Sequence, residues 1–193
     1  MNPFSITVFL LAAFTLAGVA QVWWLKSGRL RSWAVPLDGG RTFRGQPIFG
    51  PNKTLRGFVV MVPAAALAFV GLSGWLRLVL GSPAEIGLWE LPPGTYALLG
   101  AWAGFGFMAG ELPNSFLKRQ LGIASGGMGE RPVLRWLFFL VDRCDSILGM
   151  LIAVSLVVPL PWPVWPGMLV VGAGIHWLFN VALYLMRVKA RPA

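Results

Sequence analysis

The chain is short of nearly every residue type on which soluble enzymes build a site. It has one cysteine and one histidine in 193 residues. A single thiol excludes an internal disulfide, and Cys144 with a lone His176 excludes a Cys/His zinc cage. Cys144 is expected as a small apolar filler and His176 as a hydrogen-bonded packing residue. Acidic residues number only 7, against 16 lysines and arginines. No Ser-His-Asp arrangement is visible. No hydrophilic stretch is long enough for a separate soluble domain, and no internal repeat is evident.

What the chain has in abundance is apolar: 56% of residues are hydrophobic and only 12% charged, with a mean hydropathy of +0.70. That composition belongs to a polytopic membrane protein. The net charge of +9 would suggest a nucleic-acid partner in a soluble chain. Here the cations sit in loops, membrane topology accounts for them, and no nucleic acid is expected.

The expected fold is an all-α integral membrane protein forming a single membrane domain over residues 1–193. Five stretches approach the ~20 residues needed to cross a bilayer: about 4–25, 57–80, 95–111, 136–159 and 167–186. The first is too long for a signal-peptide core and lacks a basic leader, so it is read as a retained span. The segment 26–56 carries Lys26, Arg29, Arg31, Arg41, Arg44, Lys53 and Arg56. The segment 112–135 carries Lys118, Arg119, Arg131 and Arg135, and the tail carries Arg187, Lys189 and Arg191. The other side has Glu85, Glu90 and little positive charge. The positive-inside rule then puts the N-terminus outside, the C-terminus in the cytosol, and 26–56 and 112–135 as two cytosolic loops forming the mouth of any site. The localisation this implies is the cytoplasmic membrane, multi-pass, with the site facing the cytosol. Tryptophans 23, 24, 89, 136, 162, 165 and 177 fall near the expected interfaces.

Against that background Asp142 and Asp145 stand out. They lie about seven residues inside a predicted span, roughly 10 Å deep at ~1.5 Å per residue, where ionisable groups are costly and usually functional. Spacing i, i+3 puts both carboxylates on one helix face, close enough to share a cation. Two aspartates beside a cytosolic mouth suit Mg²⁺, which is commonly held by one or two carboxylates together with phosphates. Glu111, at the end of the third span, would lie at the same level, as a third metal ligand or as a partner of Arg119.

The flanking loops supply anion-binding chemistry. Ser115, Lys118 and Arg119 fall within one turn if that segment is helical, a hydroxyl and two cations suited to phosphate. Pro113 and Asn114 are expected to break the helix there, leaving polar backbone that a wet cavity would tolerate. Ser125-Gly126-Gly127-Met128-Gly129 is a flexible stretch and not a Walker A loop, since the Gly-Lys-Ser/Thr ending is absent. The first loop repeats one pattern, Arg41-Thr42-Phe43-Arg44-Gly45 and Lys53-Thr54-Leu55-Arg56-Gly57, in which Arg44, Lys53, Thr54 and Arg56 are candidate substrate contacts. Gly100, Gly104, Gly106 and Gly110 form a small-residue stripe suited to close helix packing, which also allows a homodimer. Together these features suit a reaction between a water-soluble polyphosphate and a lipid, because phosphoryl and nucleotidyl transfers depend mainly on positioning and charge neutralisation.

The run Ser115-Phe116-Leu117-Lys118-Arg119, followed by Asp142-Arg143-Cys144-Asp145, resembles the S-x-x-K-R … D-x-x-D signature of phosphatidate cytidylyltransferases. The small size, five spans and two Arg-Gly motifs look closer still to the CDP-archaeol synthase family. The resemblance covers roughly Asp38 to Met150. The Lys-Asp and the His-Gly-Gly stretch of the bacterial and eukaryotic enzymes are absent; the archaeal relatives also lack the His-Gly-Gly stretch. Arg143 stands where archaeal-type enzymes often have an uncharged residue. The resemblance implies a membrane cytidylyltransferase that transfers CMP from CTP to a lipid phosphate, archaeol-type or phosphatidic acid, giving CDP-lipid and pyrophosphate. It implies Mg²⁺ on Asp142 and Asp145, charge neutralisation by Lys118 and Arg119, and substrate contacts from Lys53, Arg56, Asn114 and Ser115, with Glu111 a further metal ligand. The alternative is a non-enzymatic lipid-binding or small transport protein, in which the aspartates would relay charge or balance Arg143. CDP-alcohol phosphotransferases need more aspartates than this chain has.

Overall fold

The computed structural model describes residues 1–125, 127 and 132–185. The tail cations Arg187, Lys189 and Arg191, Arg131 in the second loop, and Gly126, Met128 and Gly129 of the glycine-rich stretch lie outside the described residues.

The chain is mostly helical. Helix α1 spans Pro3–Lys26, α2 Leu55–Leu80, α3 Pro93–Gln120 and α4 Pro132–Ser155. A composite rod follows, made of α5 (Val164–Gly167), a π-helical turn (Met168–Gly172) and α6 (Ala173–Leu185). Helix α1 starts where Asn2 caps it, the Phe4 amide donating to Asn2 Oδ1 at 2.9 Å, with Pro3 in the first turn where its missing N–H costs nothing. At the other end of α1, Arg56 Nη2 donates to the Trp24 and Leu25 carbonyls, both at 3.2 Å. Those carbonyls have no acceptor duty left inside the helix, so a cation from α2 satisfies them and the end of the dipole. Helices α1 and α2 are each long and apolar enough to cross a membrane, with a mean hydropathy of 2.0 over their most apolar window. Helices α3 and α4 occupy two further predicted spans but carry the polar residues of the site, which lowers their apolarity.

The third helix differs from its expected end. Residues 112–120 continue α3 instead of opening a loop, and Pro113 sits inside the helix. A proline there deprives the Ala109 carbonyl of its intrahelical donor. Cross-helix bonds from the residues just beyond it, described below, hold the extra turns in place. Helix α4 likewise begins at Pro132, so the connection between α3 and α4 is much shorter than 112–135.

Small residues set the helix spacing. A Cβ on Gly100 would lie 2.6 Å from the Ala65 carbonyl oxygen of α2, and one on Gly106 would lie 2.6 Å from the Gly149 oxygen of α4. Gly104 packs on α2 and Gly110 on α4 in the same way. The stripe is therefore consumed within one chain, and gives no basis for a homodimer. Away from the site, Phe9, Phe69 and Tyr96 form a buried aromatic group, with Phe9 edge-on to Phe69 at 5.2 Å. Tyr96 Oη donates to the Trp89 carbonyl at 2.6 Å, and Trp89 Nε1 donates to the Pro159 carbonyl at 2.9 Å. This end of the bundle is thereby tied together, with the Tyr96 hydroxyl and the Trp89 indole N–H both satisfied.

The first loop is folded. It contains a 3₁₀ turn (Arg31–Trp33) and a two-residue hairpin pairing Thr42–Phe43 with Gln46–Pro47. Its anchor is Asp38, buried, whose carboxylate accepts from the backbone amides of Gly40 (3.0 Å), Phe49 (2.9 Å) and Gly50 (2.9 Å). The Leu37 amide donates to the Lys53 carbonyl at 2.8 Å, so the loop closes just before α2 begins. Gly50, at φ +87°, lies against the Arg119 and Ser125 side chains, where a Cβ would sit 2.6 Å from Ser125 Oγ. The loop thus packs onto the end of α3.

Candidate active site

A cavity of about 1090 Å³ opens between α1, α2, α3, α4 and the composite rod. Its walls divide by chemistry. One end carries Lys53, Arg56, Glu111, Asn114, Lys118, Arg119, Asp142, Arg143 and Asp145; the other is apolar, with Leu11, Phe14, Phe107, Ile147, Met150 and Phe179. Met168 and Gly172 of the π-helical turn also border it. Such turns occur often at functional sites.

The polar end is built where α3 crosses α4. Asn114 is buried and donates from Nδ2 to Asp142 Oδ1 at 2.6 Å and to Asp145 Oδ2 at 2.8 Å. Lys118, one turn further along α3, forms an ion pair with Asp142. Its ammonium also lies 5.2 Å from the centre of the Phe138 ring. On the other flank Lys53 pairs with Glu111. Ser146 Oγ donates to Glu111 Oε1 at 2.7 Å, and the Ser146 amide donates to Asp145 Oδ1 at 2.7 Å. Helical spacing explains the grouping. Glu111, Asn114 and Lys118 recur every three or four residues along α3, and Asp145 and Ser146 lie three and four residues after Asp142 on α4. The Lys53 ammonium is held above its ordinary pKa: burial pushes it down, but the Glu111 carboxylate more than offsets this.

Arg119 is differently placed. It is buried, lines the cavity, and its Nε has no hydrogen-bond partner among the described residues. A buried guanidinium left without a carboxylate is costly unless an anion completes it. Arg143 lies with its guanidinium 3.3 Å from the centre of the Phe139 ring and also lines the cavity.

Most of the sequence-derived residues come together here: Lys53, Thr54, Arg56, Glu111, Asn114, Ser115, Lys118, Arg119, Asp142 and Asp145 all line one cavity. Arg44 does not. It occupies the hairpin tip with φ +52°, is exposed, and stacks over Phe43 at 5.3 Å. The two Arg-Gly motifs therefore differ: one is a turn, while the other places Arg56 at the end of α1. Glu111 is partnered by Lys53 and Ser146, not by Arg119. His176, expected to serve packing alone, is in the cavity wall with its ring 5.9 Å from that of Phe107. Arg143, Ser146 and Gln21 also face the site without having been proposed for it. Ser146 was signalled by its spacing of four from Asp142; Gln21 had no signal in an otherwise apolar run.

The residues suit a divalent metal in part. Among the described residues no three His, Cys, Asp or Glu side chains converge as a metal cage, so Glu111 is not assembled with the two aspartates as a third ligand. Asp142 and Asp145 do share the Asn114 amide, and Asn114 Oδ1 is a buried acceptor without a partner among the described residues. Two carboxylates and an amide oxygen form a hard, all-oxygen donor set. Mg²⁺ takes such a set when substrate phosphates and water complete its shell.

A helical bundle that gathers carboxylates, cations and apolar side chains around one cavity suits the class of enzymes that act on a lipid phosphate. Residues 6–192 match the family model "CarS-like: CDP-archaeol synthase". The CDP-archaeol synthase of Methanopyrus kandleri is 33% identical over 160 residues, 81% of this chain and 79% of its own. Those of Halobacterium salinarum (32%, covering 81% and 82%) and Halorubrum lacusprofundi (33%, covering 81% and 83%) are similarly close. No solved structure matches. The chain belongs to the CDP-archaeol synthase family, whose members are CTP-dependent cytidylyltransferases acting on a lipid phosphate.

Proposed function

We propose that this enzyme transfers CMP from CTP to the phosphate of an archaeol-type lipid, giving a CDP-lipid and pyrophosphate. The relatives named above, all CDP-archaeol synthases, favour the ether-linked isoprenoid lipid over phosphatidic acid. The observation that carries the reading is the division of one cavity into a charged end and an apolar end. A nucleotide fits the first and a lipid chain the second.

In this reading a lipid phosphate oxygen attacks the α-phosphorus of CTP, and pyrophosphate leaves in line. The substrate supplies the nucleophile, so no covalent enzyme intermediate forms. Arg119 and Lys118 hold the anionic oxygens and stabilise the charge that builds in the transition state. Lys53 and Arg56 reach the cavity from the first loop and the start of α2, and bind the triphosphate or the lipid headgroup. Ser115 supplies a hydroxyl donor, and Asn114 fixes Asp142 and Asp145 in register. Mg²⁺, when bound through Asp142 and Asp145, would neutralise phosphate charge. Glu111 orients Lys53.

The same reading places five spans across the cytoplasmic membrane, N-terminus outside and C-terminus in the cytosol, with the charged end of the cavity on the cytosolic side. The loop cations and the hydropathy of α1 and α2 support it.

The test is turnover of labelled CTP by purified protein with Mg²⁺, offering archaeol phosphate and phosphatidic acid side by side, with Asp145→Asn as control. A CDP-lipid from archaeol phosphate, absent in the variant, is the expected result. Absence of product from both lipids, with no CTP binding, would return the chain to a lipid-binding or transport role.

A further inference from the structure

We propose that Lys53 and Lys118 are internal counter-cations: they hold the carboxylate cluster closed to a free divalent metal and yield it only to a metal that arrives with a nucleotide. This rests on the reading of the cavity as a nucleotide site and adds an order of binding to it.

The geometry is the starting point. Each lysine ammonium is already seated on a carboxylate of the cavity wall: Lys118 across both oxygens of Asp142, which a metal would approach, and Lys53 on Glu111, which Ser146 joins to Asp145. The Lys118 side chain is about 10% exposed and that of Asp142 41%, so the carboxylate is reachable while its partner is enclosed. Three carboxylates share the cavity wall with five cations, Lys53, Arg56, Lys118, Arg119 and Arg143. At their usual protonation the wall is net positive.

A bare divalent ion entering this wall meets repulsion. It must also displace an ammonium from its carboxylate, and a buried charge stripped of its partner is strongly unfavourable. A metal–nucleotide complex removes both obstacles. It is anionic overall, and its phosphate oxygens accept the displaced ammoniums. Lysine suits such an exchange because its compact ammonium rides on a flexible four-carbon stem. Lys53 comes from the first loop and Lys118 from α3, so the two can move independently. The consequence is positive coupling between metal and nucleotide, which by linkage must be equal in both directions.

The probe is Mn²⁺ alone, its free concentration followed by electron paramagnetic resonance. Full-length protein in detergent is titrated with and without CTP, no lipid being present, and the Mn²⁺–CTP complex is measured separately and subtracted. Wild-type protein is expected to bind Mn²⁺ weakly alone and much more tightly with CTP. In Lys118→Met the affinity for Mn²⁺ alone should rise by about tenfold, inside the range usual for coupled sites, and the gain from CTP should shrink correspondingly. Lys118→Arg, which keeps the positive charge, should stay close to wild type. Lys53→Met, in the loop, should show the same direction and carries the test if Lys118→Met does not fold. Folded lysine variants that bind Mn²⁺ alone no more tightly than wild type, while wild type still binds Mn²⁺ with CTP, overturn the exchange and leave the nucleotide site standing. Wild type that binds no Mn²⁺ even with CTP overturns both.

Discussion

Gly110 of α3 and Gly149 of α4 meet backbone to backbone: a Cβ on Gly149 would lie 2.6 Å from the Gly110 Cα. This contact is what brings the site together. Helices that approach so closely place residues one and two turns along, Asn114 and Lys118, within reach of Asp145 and Asp142. Where helices are surrounded by lipid, association is driven by packing and interhelical hydrogen bonds, so small residues at the crossing matter more than apolar area.

Gly149→Ala is therefore expected to force the helices apart. Overpacking of this kind costs about 1–3 kcal/mol, and activity should fall further than stability, because the displaced groups are those of the site. Thermal unfolding in detergent and CTP turnover, measured on one preparation, check this. A variant with wild-type values for both would show that the crossing is looser than described.

Asp142→Asn and Asp145→Asn should each abolish transfer. In Asp145→Asn, asparagine is of similar size and can still accept from Asn114, so thermal stability should be retained; Asp142→Asn also strips Lys118 of its carboxylate and should melt lower. Near-normal turnover by both variants would remove the metal-site proposal.

Lys118→Ala should lower kcat/KM by an amount equivalent to about 2–4 kcal/mol, the usual loss when one preorganised charge-stabilising donor is removed. Its measure is steady-state kinetics at saturating lipid. A loss below tenfold would assign Lys118 to structure alone.

Asp38 is expected to set an acid limb of stability. Burial pushes its carboxyl up, but the amides of Phe49, Gly50 and Gly40 more than offset this and hold it below the ordinary aspartate value. A carboxylate depressed in the folded state stabilises fully above its unfolded value of about 3.9 and loses that contribution as pH falls through the folded value. Melting temperature should accordingly fall as pH drops below about 5, and Asp38→Asn should start lower and respond less to acid. Parallel acid profiles for the two proteins would show that the loop is held by other means.

Topology has a direct check. On a Cys144→Ala background, cysteines at Ser27 and Leu121 should be protected from an impermeant external reagent in intact cells, and one at Ala84 should be labelled. Labelling of the first two would invert the proposed orientation.

Much of the candidate site was legible because charged residues in these positions are costly. Asp142 and Asp145 inside an apolar run, and Lys118-Arg119 beside the helix that faces it, are expensive placements that composition alone exposes. Arg44 and Arg56, by contrast, look equivalent in the sequence. Their roles separate only because Arg44-Gly45 turns a hairpin while Arg56 meets the end of α1. Pro113 was misread for a related reason. Local propensity argues for a break, but the bonds made by Asn114 and Lys118 across to α4 hold the helix through it.

The amino-acid sequence by itself determined the apolar, helical character, the approximate positions of the helices and the identity of the charged groups. Hydropathy and burial cost are properties of single residues and short windows, and can be read in order along the chain. Only the tertiary structure decided which charge meets which: Lys53 with Glu111, Lys118 with Asp142, Asn114 between the two aspartates, and Arg119 with a buried Nε that has no partner among the described residues. Pairing depends on the depth and angle at which helices cross, and those are set by glycines on different helices that only folding brings face to face.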